Sequence, residues 1–332
     1  MNFLKFPGSD PASDNAREVQ TKPGRFLRIR SLTLAIAVLA SISGLAACTT
    51  ASSTGTAAES SPSEQIAGDS NALSMDPAIN AQLPESIRSA GVLKVGIDPT
   101  YAPMEFTDEA NNIIGSDPEL IEAMGVVLGV KVEYLPTKFA SLIPTLKSGR
   151  FDVGMNVGDY FHREKNADFI DFFVSKRAFL IDSSRPQFES ITDVCGLTVG
   201  MLQGTDSQDK IDEANPKCTA AGKPSITANA YQTNNDAVLA MSTGRIDAIF
   251  ADTPTTGWTA KQSNGKYVTS GTSLWATSPY YGMIVAKGSP LSQPLEAALN
   301  KVIDSGRYEE IFTKWGLEDG LIEKAVINGA KE

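Results

Sequence analysis

Histidine is nearly missing from this chain of 332 residues: there is one, His162. Cysteine is scarce as well, with only Cys48, Cys195 and Cys218. So little histidine leaves too few partners for a zinc centre, and no nucleophile–histidine–acid set can be built except around that one residue. Excess basic charge is also lacking. The formal net charge is −10, and without residues 1–47, which hold more Lys and Arg than Asp and Glu, it becomes −13. So acidic a chain argues against nucleic acid, whose binders need clustered basic residues. Anionic lipid headgroups are disfavoured for the same reason.

Nor is there a long apolar run. Ser31 to Ala47 is uncharged over 17 residues, the lower limit for a membrane span. It follows the basic group Arg25, Arg28 and Arg30 and ends in Leu45-Ala46-Ala47-Cys48. That layout is a secretory signal, and its last four residues look like a bacterial lipobox, with Cys48 as the lipidated thiol. An uncleaved anchor is the competing reading. Residues 48–85, rich in Ser, Thr, Ala and Gly at their start, read as a tether too poor in large apolar residues to fold. Cys195 and Cys218 then remain in an oxidising compartment, where a pair is expected to form a disulfide. By loop entropy such a link contributes about 3 kcal/mol.

The remainder, about 91–327, suffices for two medium domains. Its pattern alternates strand and helix. Val92–Ile97 reads as a strand, followed by a loop through Asn112. Asp117 is expected to cap a helix with Pro118 at its first position, and Gly129 to end it. Lys131–Leu135 is the next strand, Ser141–Lys147 a helix and Phe151–Met155 a third strand, a parallel βαβαβ layout. The second half repeats the device: strand Thr198–Leu202, helix Ser207–Ala214, strand Ile226–Tyr231, a helix from Thr233 to Thr243, and strand Ile246–Phe250. Two joins are nearly one peptide, Leu146-Lys147-Ser148-Gly149-Arg150-Phe151-Asp152-Val153 and Met241-Ser242-Thr243-Gly244-Arg245-Ile246-Asp247-Ala248. Tandem α/β units suggest two facing lobes. Asn156 and Asp252 follow matching strands, where open parallel sheets bind ligands. Leu291, Leu295, Ala298, Leu299, Val302 and Ile303 form one apolar helical face, ended by Gly306.

At this point the chain resembles the bacterial extracellular solute-binding proteins of polar amino-acid ABC importers. The likeness covers about 91–320 and is carried in order by Val95-Gly96-Ile97-Asp98-Pro99-Thr100-Tyr101-Ala102-Pro103, Gly115-Ser116-Asp117-Pro118-Glu119-Leu120, Leu142-Ile143-Pro144-Thr145-Leu146, Arg163-Glu164-Lys165, Asp168-Phe169, Gln203-Gly204-Thr205 and Lys314-Trp315-Gly316. It implies an α/β fold of the two-lobed, periplasmic-binding-protein-like type II class, a Venus flytrap in which each lobe is a sheet flanked by helices. Lobe 1 would comprise 91–176 and 280–327, lobe 2 177–279, with crossings near Val174–Ala178 and Ser278–Gly282.

The same resemblance implies site residues. Arg163 would clamp a ligand α-carboxylate, as a guanidinium pairs bidentately and stays charged when enclosed; a surface pair with Glu164 or Asp168 is the plainer reading. Asp252 would receive the α-ammonium, or else cap a helix beside Pro254. Gly204 and Thr205 would hold carboxylate oxygens at a helix start. Tyr101 would cover the ligand, and Asp98 or Glu105 could reach its side chain, unless Asp98 caps the loop. One departure from the family pattern stands out. The segment from Asp152 to Arg163 is one residue shorter than usual, and Gly158 stands where a hydroxyl is common, leaving Asn156 or Asp159 to compensate.

The function implied is capture of a polar amino acid or related zwitterion at the extracytoplasmic face of the cell membrane, with delivery to an ABC permease. A monomer without cofactor is expected. Alternatives are an enzyme on the same scaffold, such as a cyclohexadienyl/arogenate dehydratase using His162 or Glu105, and a ligand-sensing component.

Overall fold

The computed structural model describes residues 73–276 and 279–331. The signal, Cys48 and most of the tether lie outside the described residues. The tether ends sooner than position 85. Asp76 accepts hydrogen bonds from the amides of Ala78 and Ile79 and starts helix Pro77–Asn80. Ile79, Leu83 and Ile87, four residues apart, are buried against the first core. That spacing was the overlooked signal.

The first part of the chain supplies strands β1 (Val92–Ile97), β2 (Thr100–Tyr101), β3 (Glu105–Thr107), β4 (Ile113–Ile114), β5 (Lys131–Pro136), β6 (Val153–Gly158) and β7 (Ala167–Val174). The middle supplies β8 (Arg177–Asp182), β9 (Thr198–Leu202), β10 (Thr227–Tyr231), β11 (Ala248–Asp252) and β12 (Tyr267–Ser270). The chain then returns through β13 (Tyr280–Ala286) and β14 (Val326–Ile327). One sheet has the order β14-β7-β13-β6-β1-β5, the other β10-β9-β11-β8-β12. Both have the expected parallel centre, with β1 between β5 and β6, and β9 between β10 and β11. The chain crosses between sheets after Val174 and again before Tyr280. Each sheet packs on helices. Leu295, Ala298, Leu299 and Val302 of helix Ser292–Asp304 are fully buried, which is worth roughly 1.5–3 kcal/mol for each large side chain.

The repeated join has one geometry. Gly149 and Gly244 have φ of +70° and +69°, the left-handed turn that glycine adopts without strain. The Asp152 amide donates to Lys94 O while its Oδ2 accepts from Lys94 N, at 2.9 and 2.8 Å. Asp247 does the same with Thr198, at 2.7 and 2.8 Å. Each aspartate thereby clips the start of one strand to its parallel neighbour.

Several elements differ from expectation. The loop through Asn112 holds the small antiparallel sheet β2-β3-β4. Helix Ser116–Leu128 is entered through Gly115 at φ +132°, so Asp117 lies inside the first turn, fully buried, rather than at the cap. The third strand begins at Val153 and runs on to Gly158, which puts Asn156 inside it. Helix Ser207–Ala220 continues past Ala214 through Pro216. Its extension carries Cys218, which is disulfide-bonded to Cys195 with Cα atoms 5.5 Å apart.

Candidate functional site

Asp98, Tyr101, Asn156, Arg163, Thr205 and Asp252 line one cavity, although they span more than 150 positions of sequence. Gly204 joins them through its carbonyl. The sheet topology does the gathering. β1 and β6 deliver Asp98, Asn156 and the turn to Arg163, and β9 and β11 deliver Gly204, Thr205 and Asp252.

Arg163 sits on the short helix Phe161–Glu164 and is buried. One terminal nitrogen donates to Gly158 O at 2.9 Å, the other across the cleft to Gly204 O at 3.0 Å. Its guanidinium lies 5.0 Å from the Tyr160 ring centre and 5.7 Å from that of Phe139. The surface-pair reading fails, because Asp168 accepts from Lys287, Gly288 and Asn328, and Glu164 from the Ala330 amide. Gly204 has φ +86°, and a Cβ there would lie 2.8 Å from Ala140 Cα.

Asp252 ends β11 and precedes helix Thr253–Gln262, yet its side chain accepts no helix amide. It accepts instead from the hydroxyls of Tyr101 and Tyr281. Burial pushes its carboxyl above the usual range, opposed by Arg177, whose guanidinium nitrogen is 3.9 Å away. Burial and the Asp252 charge in turn push the Tyr101 hydroxyl well up. Asp98 is tied down, its oxygens accepting from the Phe139 amide at 2.8 Å and Thr100 Oγ at 2.9 Å. Burial raises its pKa too. Beneath it, Glu105 is enclosed with Oε2 unpaired. Burial, then Asp117 and Asp98, push Glu105 well up, and burial does the same to Asp117.

The left-handed Asn156, at φ +55°, presents an unpaired Oδ1 in the cavity wall. Asp159 does not compensate for the missing hydroxyl. It is buried away from the cavity beside Asp171 and Glu164. Thr205 Oγ and amide both turn back to Leu202 O, and the helix begins later, at Ser207.

Sequence reasoning missed Arg177, Asp206, Phe139 and Tyr281, which complete the wall. Arg177 opens β8, is 3% exposed, and donates to Asp206 and to the Tyr160 hydroxyl. A charged residue at the head of the apolar run Ala178-Phe179-Leu180-Ile181 was the available signal, since a buried charge demands a partner. With these included, four carboxyls (Asp98, Glu105, Asp206, Asp252) face two guanidiniums (Arg163, Arg177).

Residues 93–318 match the family model described as bacterial extracellular solute-binding proteins, family 3. The chain belongs to that family. It is 33% identical to the arginine-binding protein ArgT of Corynebacterium glutamicum over 254 residues, covering 76% of this chain and 83% of that one. Among solved structures it resembles an ancestral arginine-binding protein bound to arginine, at TM-score 0.61 and 30% identity, covering 68% of this chain and 98% of that one. It also resembles the ancestral amino acid-binding protein AncCDT-1, a precursor of cyclohexadienyl dehydratase, at TM-score 0.62 and 28% identity, covering 70% and 98%. No helix among the described residues is long and apolar enough to cross a membrane.

Proposed function

We propose that this protein captures a cationic amino acid, arginine first among the candidates, outside the cytoplasmic membrane and delivers it to the permease of an ABC importer. The carrying observation is the cavity's lining: an Arg163–Asp252 axis for a zwitterion, with Asp98 as a further carboxyl beside the Arg177–Asp206 pair. The α-carboxylate goes to the free donors of Arg163, the α-ammonium to Asp252, and the side-chain cation toward Asp98, with Tyr101 and Phe139 as ring faces. The likeness to arginine-binding proteins supports the same ligand. Only a closed cleft makes both sets of contacts, so the ligand favours closure. The proposed hinges separate a lobe of 91–176 and 280–327 from one of 177–279. The dehydratase reading is weaker. Of the two groups named for it, His162 stacks on Tyr160 but does not line the cavity, whereas Glu105 does.

Titration calorimetry with L-arginine, L-lysine, L-histidine and L-glutamine tests the reading. L-Arginine or L-lysine is expected to bind tightest. Arg163→Ala and Asp252→Ala each lose about 30-fold or more, from the roughly 2–5 kcal/mol of a buried charge pair, while the unliganded protein stays folded. Wild-type binding in both variants overturns the reading. We further propose that lipidated Cys48 holds a monomer on the membrane, two acyl chains giving the stable anchor. Cys48→Ser should release it, and unchanged membrane retention refutes this.

A further inference from the structure

We propose that Phe106, Trp258 and Trp315 form an aromatic clasp outside the ligand cavity that sets affinity by holding the cleft shut. None of the three lines the cavity. Phe106 lies on β3 and Trp315 follows helix Arg307–Lys314, both on the side of the first sheet. Trp258 lies in helix Thr253–Gln262, on the side of the second. The ring centroids are 5.7 Å apart for Phe106–Trp258, 5.7 Å for Phe106–Trp315 and 6.1 Å for Trp258–Trp315. These are ordinary separations for attractive aromatic pairs.

Trp258 has no place in its own lobe's interior. It belongs to neither hydrophobic cluster there, and its ring partners are both across the cleft. The receiving side is built in advance. Trp315 packs on the first core, donates its indole N–H to Glu119 at 3.1 Å, and meets Phe106 edge to face at 88°.

The clasp is geared to the cavity. In the β2–β3 hairpin Tyr101 pairs with Glu105 and Thr100 with Phe106. That hairpin therefore meets the second lobe at two points. Tyr101 donates to Asp252 inside the cavity, and Phe106 meets Trp258 six residues further along the chain, outside it. Whatever swings Asp252 onto Tyr101 also brings Trp258 onto Phe106. Ligand contact and clasp contact form in one movement, and loss of either lowers the closed fraction that binds.

The test measures the purified full chain and its Trp258→Ala and Trp258→Phe variants by titration with L-arginine and L-lysine, by dissociation rate, by melting without ligand, and by small-angle X-ray scattering without ligand. The clasp predicts that Trp258→Ala weakens both ligands by the same factor, about tenfold. Dissociation is faster, Trp258→Phe recovers most of the loss, and unliganded melting falls by less than the loss in binding, because only the shut part of the unliganded population carries the clasp. Wild-type affinity in Trp258→Ala overturns the clasp. So does a loss confined to one ligand, which would mark a cavity residue, or a matching fall in unliganded melting, which would mark a packing residue. If wild type binds neither ligand, the ligand reading falls separately. Scattering then decides the clasp: Trp258→Ala must enlarge the unliganded particle, and an unchanged radius overturns it.

Discussion

The two lobes carry the same helix–turn–strand join and use it to present opposite charges. In both, a left-handed glycine turns the chain and an aspartate grips the neighbouring strand. In the second lobe the strand ends on the proposed ligand residue itself, Asp252. In the first, β6 runs on to Gly158 and the proposed ligand residue is carried over to a separate short helix as Arg163. The scaffold therefore fixes where a side chain enters the cleft, and the few residues after the strand decide its sign. The cost differs as well. Arg163 is met by two neutral carbonyls, whereas the acid of the second lobe needs a resident cation, Arg177.

Removing that cation is the most severe way to break the comparison. Arg177→Met leaves Asp206 and Asp252 buried without it, and a loss of about 3–5 kcal/mol in unfolding free energy is expected. Urea denaturation checks this, and a near-neutral result would mean that the second lobe does not depend on its own cation.

A smaller effect tests whether the joins are equivalent. Asp152→Ala and Asp247→Ala should each cost about 1.5 kcal/mol for the lost bond to a strand amide. Asp247 should cost slightly more, because Arg185 pairs with it at 2.9 Å on the partly exposed surface, worth at most about 1 kcal/mol. The reverse order in denaturation would break the equivalence.

A last test concerns pH and a carboxyl pair of the first lobe. Burial, then the neighbouring Glu164, push Asp159 up to about 7, while burial, then Asp159, push Asp171 up to about 8. Unfolded, both carboxyls release their protons near pH 4. Between those limits the folded protein holds more protons than the unfolded chain, so stability falls as pH rises from about 4 to about 8. Melting scans should show that decline, and Asp171→Asn should make it shallower, the share of the other carboxyls raised by burial, Asp98, Glu105, Asp117 and Asp252, remaining. An unaltered slope in the variant would place the buried proton elsewhere.

Much of this was legible in the sequence. β1, β5 and β9 through β11 lie within two residues of their expected starts, because alternation with capped helices is a local signal. Thr233 does cap its helix, accepting from the Asp236 amide. Strands β2 to β4 were not legible, since two or three residues carry no period. Helix Ser207–Ala220 was read short because a proline ordinarily ends the pattern. In the site, all seven expected ligand positions gather at the cleft, but Arg177 and Asp206 escaped notice. Their meaning lies in a pairing across 29 residues, which no local pattern announces.

Gly204 has a mechanical consequence. With its backbone at φ +86° and Ala140 Cα only 2.8 Å from where a Cβ would stand, the jaws meet main chain to main chain. Any side chain at 204 is a wedge, and one methyl group is thick enough to act as one. The carbonyl of the same residue takes a hydrogen bond from Arg163, so a wedge there would also draw the clamp off its far support. The aperture at which the proposed closure would stop is thus gauged by a single missing carbon.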